Sequence, residues 1–167
     1  MYRFIVFIIL GLPVTAYSDQ VYFSQSEFLE LAFPETSPES HVIWLTGKRK
    51  EEGEKLLGHA PAGLRARYWA LGQRTAWIMD EIGKEHPITI GIVVENNKIK
   101  NVDILVYRES RGGEVRHDFF KRQFVGAQLS QYQLDRNIDS ISGATLSVNA
   151  VTATARWALY LHQQLEL

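Results

Sequence analysis

Apolar residues recur along this chain with two different spacings, and the switch between them marks out its elements. In residues 24–33, SQSEFLELAF, Phe28, Leu29 and Ala32 stand near helical spacing behind a serine able to cap a helix, Ser24 or Ser26. PETSPES (34–40) reads as a loop and HVIWLTG (41–47) as a short strand. KRKEEGEKLLG (48–58) reads as a short helix, weakened by Gly53 and ended by Gly58.

From residue 66 the period falls to two. ARYWALG and RTAWIMDEIG are apolar and aromatic runs joined by a Gly-Gln turn, the layout of a hairpin. PITIGIVVE and KIKNVDILVYRE flank Asn96-Asn97, and asparagine tolerates the positive φ of a tight turn. Ile88, Ile90, Ile92 and Val94 alternate in the first of these, and Val102, Ile104 and Val106 in the second. Four antiparallel strands are therefore predicted, each with one face in the core and one face out. Farther on, HDFFKRQFVG (117–126) sets Phe120 and Phe124 four apart, a helical turn or two closed by Gly126. From residue 142 to about 164, Val148, Val151, Ala155, Ala158, Leu159 and His162 form one helical stripe. The predicted architecture is α+β, with helices packed on a meandering antiparallel sheet and a long helix at the C-terminus.

Composition narrows the chemistry. The 167 residues are 46% apolar and 22% charged, enough for one folded core. The formal net charge of −1 gives no global sign of nucleic acid as a partner. Arg108, Arg111, Arg116, Lys121 and Arg122 do crowd one stretch, which reads first as a solvated loop. There is no cysteine, which excludes disulfides, thiolate metal sites, cysteine-ligated clusters and thioether-attached haem. Five scattered histidines show no pair at metal-binding spacing, so no metal site is expected. Any redox group must be supplied from outside the chain.

The N-terminus, MYRFIVFIILGLPVTAYSDQ, has Arg3 before an apolar run and small residues before a cut after Ser18. That is the layout of a secretory signal peptide over residues 1–18, and the run is short of the roughly 20 apolar residues a membrane span needs. Its removal leaves 17 basic and 19 acidic residues, a net of −2.

The segment DSISGATLSVNAVTATARW (139–157) puts small hydroxylated residues at the mouth of the last helix. Ser142 reads as the N-cap, with Thr145 in the first turn. The first N–H groups of a helix lack internal partners, and the dipole places partial positive charge there, so phosphate binds well at such an end. Gly143 and Ala144 keep bulk away. The stretch suits a phosphate, bound or bonded to Thr145; ordinary helix capping accounts for the same four residues.

The full pattern, Asp139-Ser-Ile-Ser142-Gly143-Ala144-Thr145-Leu-Ser147, resembles the flavinylation motif of the FMN-binding domain family, Asp-x-x-Ser/Thr-Gly-Ala-Thr-x-Ser/Thr. That family includes the C subunit of the sodium-pumping NADH:quinone reductase and the G subunit of the related ferredoxin-linked complex. Upstream, ESRGGEVRHDFFKRQFVG is similar to a Glu-Thr-Pro-Gly-Leu-Gly segment of the family that lies beside the flavin. Glu109 and Gly112 match it, Ser110 stands for Thr, and Arg111, Gly113 and Glu114 depart from it.

The resemblance covers roughly residues 66–160. It implies an FMN-binding domain over 66–167; residues 19–65 carry little of the resemblance and read as an N-terminal helical and loop segment. It also implies FMN joined through its phosphate to Thr145 by a flavin transferase that brings FAD and Mg²⁺. Asp139 would then present Thr145 or approach the transferase's metal, or else merely terminate a loop. Ser147 would bond phosphate oxygens or cap the helix, and Ser110 and Gly112 would touch the flavin. Trp69, Trp77 and Tyr68 read as sheet-face core rather than flavin stackers.

The function so implied is an exported electron-transfer flavoprotein of the periplasm or cell envelope, working between membrane or periplasmic redox proteins. No Gly-x-Gly-x-x-Gly follows a strand, so an electron carrier or complex subunit is expected rather than an autonomous dehydrogenase. A non-covalent module for FMN or another phosphate ligand, or a small flavin reductase, are the alternatives. The adjacent His117-Asp118 does not define a hydrolytic triad, which needs geometry.

Overall fold

The computed structural model describes residues 19–167, so the leader expected over 1–18 lies outside the described residues. The chain runs β1 (Gln20–Val21), α1 (Gln25–Ala32), β2 (Glu39–Trp44), α2 (Lys48–Leu57), β3 (Arg65–Leu71), β4 (Arg74–Ile82), β5 (Pro87–Glu95) and β6 (Lys98–Tyr107). A 3-10 turn (Gly113–Arg116), α3 (Asp118–Lys121), a second 3-10 turn (Arg122–Phe124), β7 (Leu129–Ser130), β8 (Gln133–Leu134) and α4 (Thr145–Gln163) follow. The fold is α+β, with six antiparallel strands in the order β1-β6-β5-β4-β3-β2 and a separate β7–β8 pair.

Local chemistry explains the ends of several elements. Ser24 caps α1 in a reciprocal box: its Oγ accepts the Glu27 N–H, and the Glu27 carboxylate accepts the Ser24 N–H. Gly58 closes α2 in the left-handed region at φ +86°. Asn96 and Asn97, at φ +52° and +62°, make the β5–β6 turn with two positive φ values, as a tight right-twisted hairpin requires.

The four expected strands are β3 to β6, but the sheet is wider. β1 pairs with the end of β6 (Gln20 with Tyr107, Val21 with Val106), and β2 pairs along β3 from Glu39–Ala70 to Trp44–Arg65. The segment before residue 66 therefore supplies ladder partners to both sides of the central strands, whose bare edges would otherwise invite pairing with another chain.

The expectation of one buried and one open face per strand fails at the centre. On one face, Trp77, Ile88, Ile90, Ile92 and Val94 pack with Val151, Ala155, Ala158 and Leu159 of α4. On the other, α1 lays Phe28 and Ala32 against Trp69, Ala76, Val93 and Leu105. Gly91 makes that second layer possible: a Cβ there would stand 2.6 Å from both Phe28 and Leu105. The unbroken apolar run in β5 is the signature of a strand covered twice. Trp69 and Trp77 are both buried core residues, and Tyr68 stacks on Trp77 with ring centroids 5.0 Å apart.

Candidate functional site

β6 ends on Tyr107, and the chain then turns across the N-terminal end of α4. Glu109 anchors this turn. Its Oε1 accepts the backbone N–H groups of Lys84, Glu85 and His86, at 2.5, 2.6 and 2.9 Å, and so closes the β4–β5 loop. Burial pushes the Glu109 carboxyl upward, but the three N–H donors outweigh it and leave the pKa below the ordinary value. The carboxylate is thus charged, with Oε1 engaged as scaffold.

Two hydroxyls lock the loop to the helix. The Tyr107 O–H donates to the Arg111 carbonyl, so the Ser147 O–H donates to the Tyr107 oxygen at 2.9 Å. Burial pushes the Tyr107 hydroxyl pKa upward, which keeps it a neutral donor. Gly112 completes the lock. It holds φ +88°, and a Cβ there would stand 2.8 Å from Ser147 Oγ and 2.9 Å from the Tyr107 hydroxyl. Only glycine lets the loop approach α4 this closely.

On the helix side, the expected N-cap is corrected. Helix α4 starts at Thr145, and its N-cap is Ala144, which has no side-chain acceptor. Ser142 and Gly143 instead form a turn in which the Ala144 N–H reaches the Ile141 carbonyl at 2.9 Å. Gly143, at φ +81°, takes the position of that turn that demands positive φ. Because Ser142 belongs to this turn, its hydroxyl does not cap α4. The N–H groups of Thr145, Leu146 and Ser147 have no acceptor within the helix, as in any first turn.

Ser147 neither caps the helix nor offers a free hydroxyl, because it is buried and committed to Tyr107. Thr145 is the opposite case. It is exposed, and its hydroxyl has no hydrogen-bond partner among the described residues.

Two adjoining clefts meet at this junction. One, of about 310 Å³, is lined by Lys84, Glu109, Ser110, Arg111 and residues 143–147. The other, of about 360 Å³, is lined by Gln20, Tyr107, residues 109–114, Arg116, His117, Ser142 and Gly143. Glu109, Ser110, Arg111 and Gly143 belong to both, and each cleft alone reaches the lower size range of small-molecule sites. Two cavities elsewhere, near His59 and Glu81 and beside α1, are lined by none of the expected site residues.

The structure thus brings Glu109, Ser110, Gly112, Ser142, Gly143, Ala144, Thr145 and Ser147 together from two stretches of chain. Asp139 stays outside: it lines neither cleft, and its backbone N–H donates to Gln123 Oε1 at 2.7 Å. Sequence reasoning missed Tyr107, Lys84 and Gln20. Tyr107 had a faint signal, an aromatic closing a strand two residues before Glu109. Lys84 and Gln20 had none, because a hairpin loop and an edge strand reach the site only through tertiary contacts.

Among the described residues, no helix is long and apolar enough to cross a membrane, and no cluster of three or more metal-binding side chains occurs. Residues 83–160 match the family model of the FMN-binding domain, a span that holds both sides of the cleft. No curated protein and no solved structure matches the chain.

Proposed function

We propose that this chain, whose residues 83–160 match the model of the FMN-binding domain family, is an exported electron carrier of that family holding FMN by a phosphate ester to Thr145. One observation carries the proposal. Of the two hydroxyls in the first turn of α4, Ser147 is consumed by Tyr107, whereas Thr145 is exposed and open to the cleft.

The residues present fit the group. Three N–H groups at the start of α4 favour a phosphate, and Gly143 leaves open space where a side chain would stand. The larger cleft beside residues 109–114 leaves room for the ring. FMN, when bound, supplies the redox chemistry, accepting and passing electrons through its isoalloxazine. The chain's own part is to hold and orient it: Tyr107 and Gly112 fix the loop against α4, and Glu109 fixes the loop against the β4–β5 turn.

Attachment requires FAD as donor. The Thr145 oxygen forms a bond to the FMN phosphorus, the pyrophosphate bond of FAD breaks, AMP leaves, and the hydroxyl proton is released. A flavin transferase with Mg²⁺ performs this step, and an exposed hydroxyl is what such an enzyme needs. Covalent attachment suits an exported carrier, since FMN lost outside the cytoplasm is not readily replaced. Membrane or periplasmic redox proteins would then be its donor and acceptor.

The test is co-expression of the exported protein with a flavin transferase, followed by denaturation and intact-mass measurement. A gain of one FMN less water, absent in Thr145→Ala, supports the proposal. An unmodified mass with flavin released on denaturation replaces it with a non-covalent flavin module.

A further inference from the structure

Five basic residues crowd the stretch from 108 to 122, and the structure sorts them. Arg108 pairs with Asp19 at 3.2 Å and also donates to the Pro87 carbonyl and Thr89 Oγ1. Arg116 lies over the Tyr22 ring and donates to its hydroxyl at 3.1 Å. Lys121 bridges Asp103 and Asp118, and Arg122 reaches Asp118 at 3.5 Å. Arg111 differs from the other four. The residue is exposed and lines both clefts, and its side chain has no ionic or hydrogen-bond partner among the described residues.

Its backbone, by contrast, is held. The Arg111 carbonyl accepts the Tyr107 hydroxyl, and the next residue, Gly112, lies so close to α4 that an added Cβ would stand 2.8 Å from Ser147 Oγ and 3.4 Å from Ala144 Cα. A fixed backbone therefore carries an unpaired guanidinium at a residue that lines the same cleft as the first turn of α4. Glu109, which lines both clefts with Arg111, makes no ion pair with it; its Oε1 is held by three backbone N–H groups. Lys84, the other cation of the smaller cleft, is paired with Glu85 at 3.1 Å. Glu114 faces the larger cleft only.

We propose that Arg111 is a phosphate-binding residue, its guanidinium pairing with the phosphate of FMN at Thr145. A planar fork of N–H donors suits phosphate oxygens better than a point charge does, and the pre-set backbone lowers the ordering cost. This inference rests on the reading that FMN occupies the Thr145 cleft, but it concerns a different residue and has a different readout.

The test uses the full exported protein, without transferase, titrated with FMN and separately with riboflavin, which lacks the phosphate. Arg111→Gln is expected to weaken FMN binding by about ten- to hundredfold and to leave riboflavin binding unchanged. Arg111→Lys should recover part of the loss. In transferase-treated protein, the ³¹P resonance of the ester should shift in Arg111→Gln.

Equal weakening of FMN and riboflavin, or of neither, with an unmoved ³¹P resonance, overturns the role of Arg111. So does an apoprotein that binds neither flavin and gains no mass with transferase, and that result overturns the covalent reading as well. A wild-type mass gain that Arg111→Gln leaves unchanged in extent, together with an unmoved ³¹P resonance, overturns the Arg111 proposal alone.

Discussion

The hydroxyl oxygens of Tyr107 and Ser147 lie 2.9 Å apart, joining the last residue of β6 to the first turn of α4. Through this contact the sheet sets the height of the loop that forms one wall of the cleft. Tyr107→Phe removes the donor to Arg111 and leaves the buried Ser147 hydroxyl without its acceptor. A loss of about 1–3 kcal/mol is expected from such an orphaned group. Urea unfolding measures it, and a midpoint equal to wild type at unchanged slope would show the contact to be idle.

Gly112 and Gly143 both hold positive φ, yet they should respond differently to alanine. At Gly143 nothing lies within 4 Å of an added Cβ, so only the backbone cost applies, roughly 1–2 kcal/mol. At Gly112 the methyl also collides with Ser147 Oγ and the Tyr107 hydroxyl, adding a further cost of about 1–3 kcal/mol. Gly112→Ala should therefore be clearly the less stable of the two by denaturant titration. The reverse order would refute the packing argument.

Glu109 makes stability depend on acid. Its folded pKa lies below the ordinary value of 4.5, so its contribution is present above that value and is lost as pH falls through the folded pKa. Glu109→Gln should destabilise the protein at neutral pH, and the gap to wild type should narrow at low pH. Paired unfolding curves at the two pH values check this; a gap independent of pH would mean the charge is irrelevant.

Two histidines should titrate on opposite sides of 6.5. His59 faces the Ala60 carbonyl at 2.9 Å and the Glu81 carboxylate at 2.8 Å, both acceptors, and its pKa is raised, first by the carbonyl and then by Glu81. Its contribution is complete below 6.5 and lost as pH rises through the folded pKa. His162 is buried under the sheet against Thr75, and burial lowers its pKa. Its contribution is present above 6.5 and lost as pH falls through the folded pKa. NMR titration of the two ring signals should find His59 above 6.5 and His162 below. Coincident midpoints would sink the assignment.

Several features were legible in the chain because their causes are local. The Asn96-Asn97 turn, the Ser24 cap and the Gly58 stop each depend on a residue's own backbone preferences. The period-two runs and the α4 stripe followed from side-chain direction alone. The N-cap was misplaced by two residues for an equally local reason: Gly143 prefers a turn, and that turn withdraws Ser142 from the helix end.

From the chain alone came the α+β class, the four central strands, the α4 stripe and, as an expectation, the two stretches around residues 109–112 and 139–147. The tertiary structure alone decided which groups in those stretches remain free. Ser147 and Glu109 looked as available as Thr145 in the linear chain, but a distant strand end and a distant hairpin consume them. Arg111 is distinguished from four neighbouring cations only by what they meet in space. Local preference sets backbone conformation, whereas a polar group's availability depends on partners that folding brings from far along the chain.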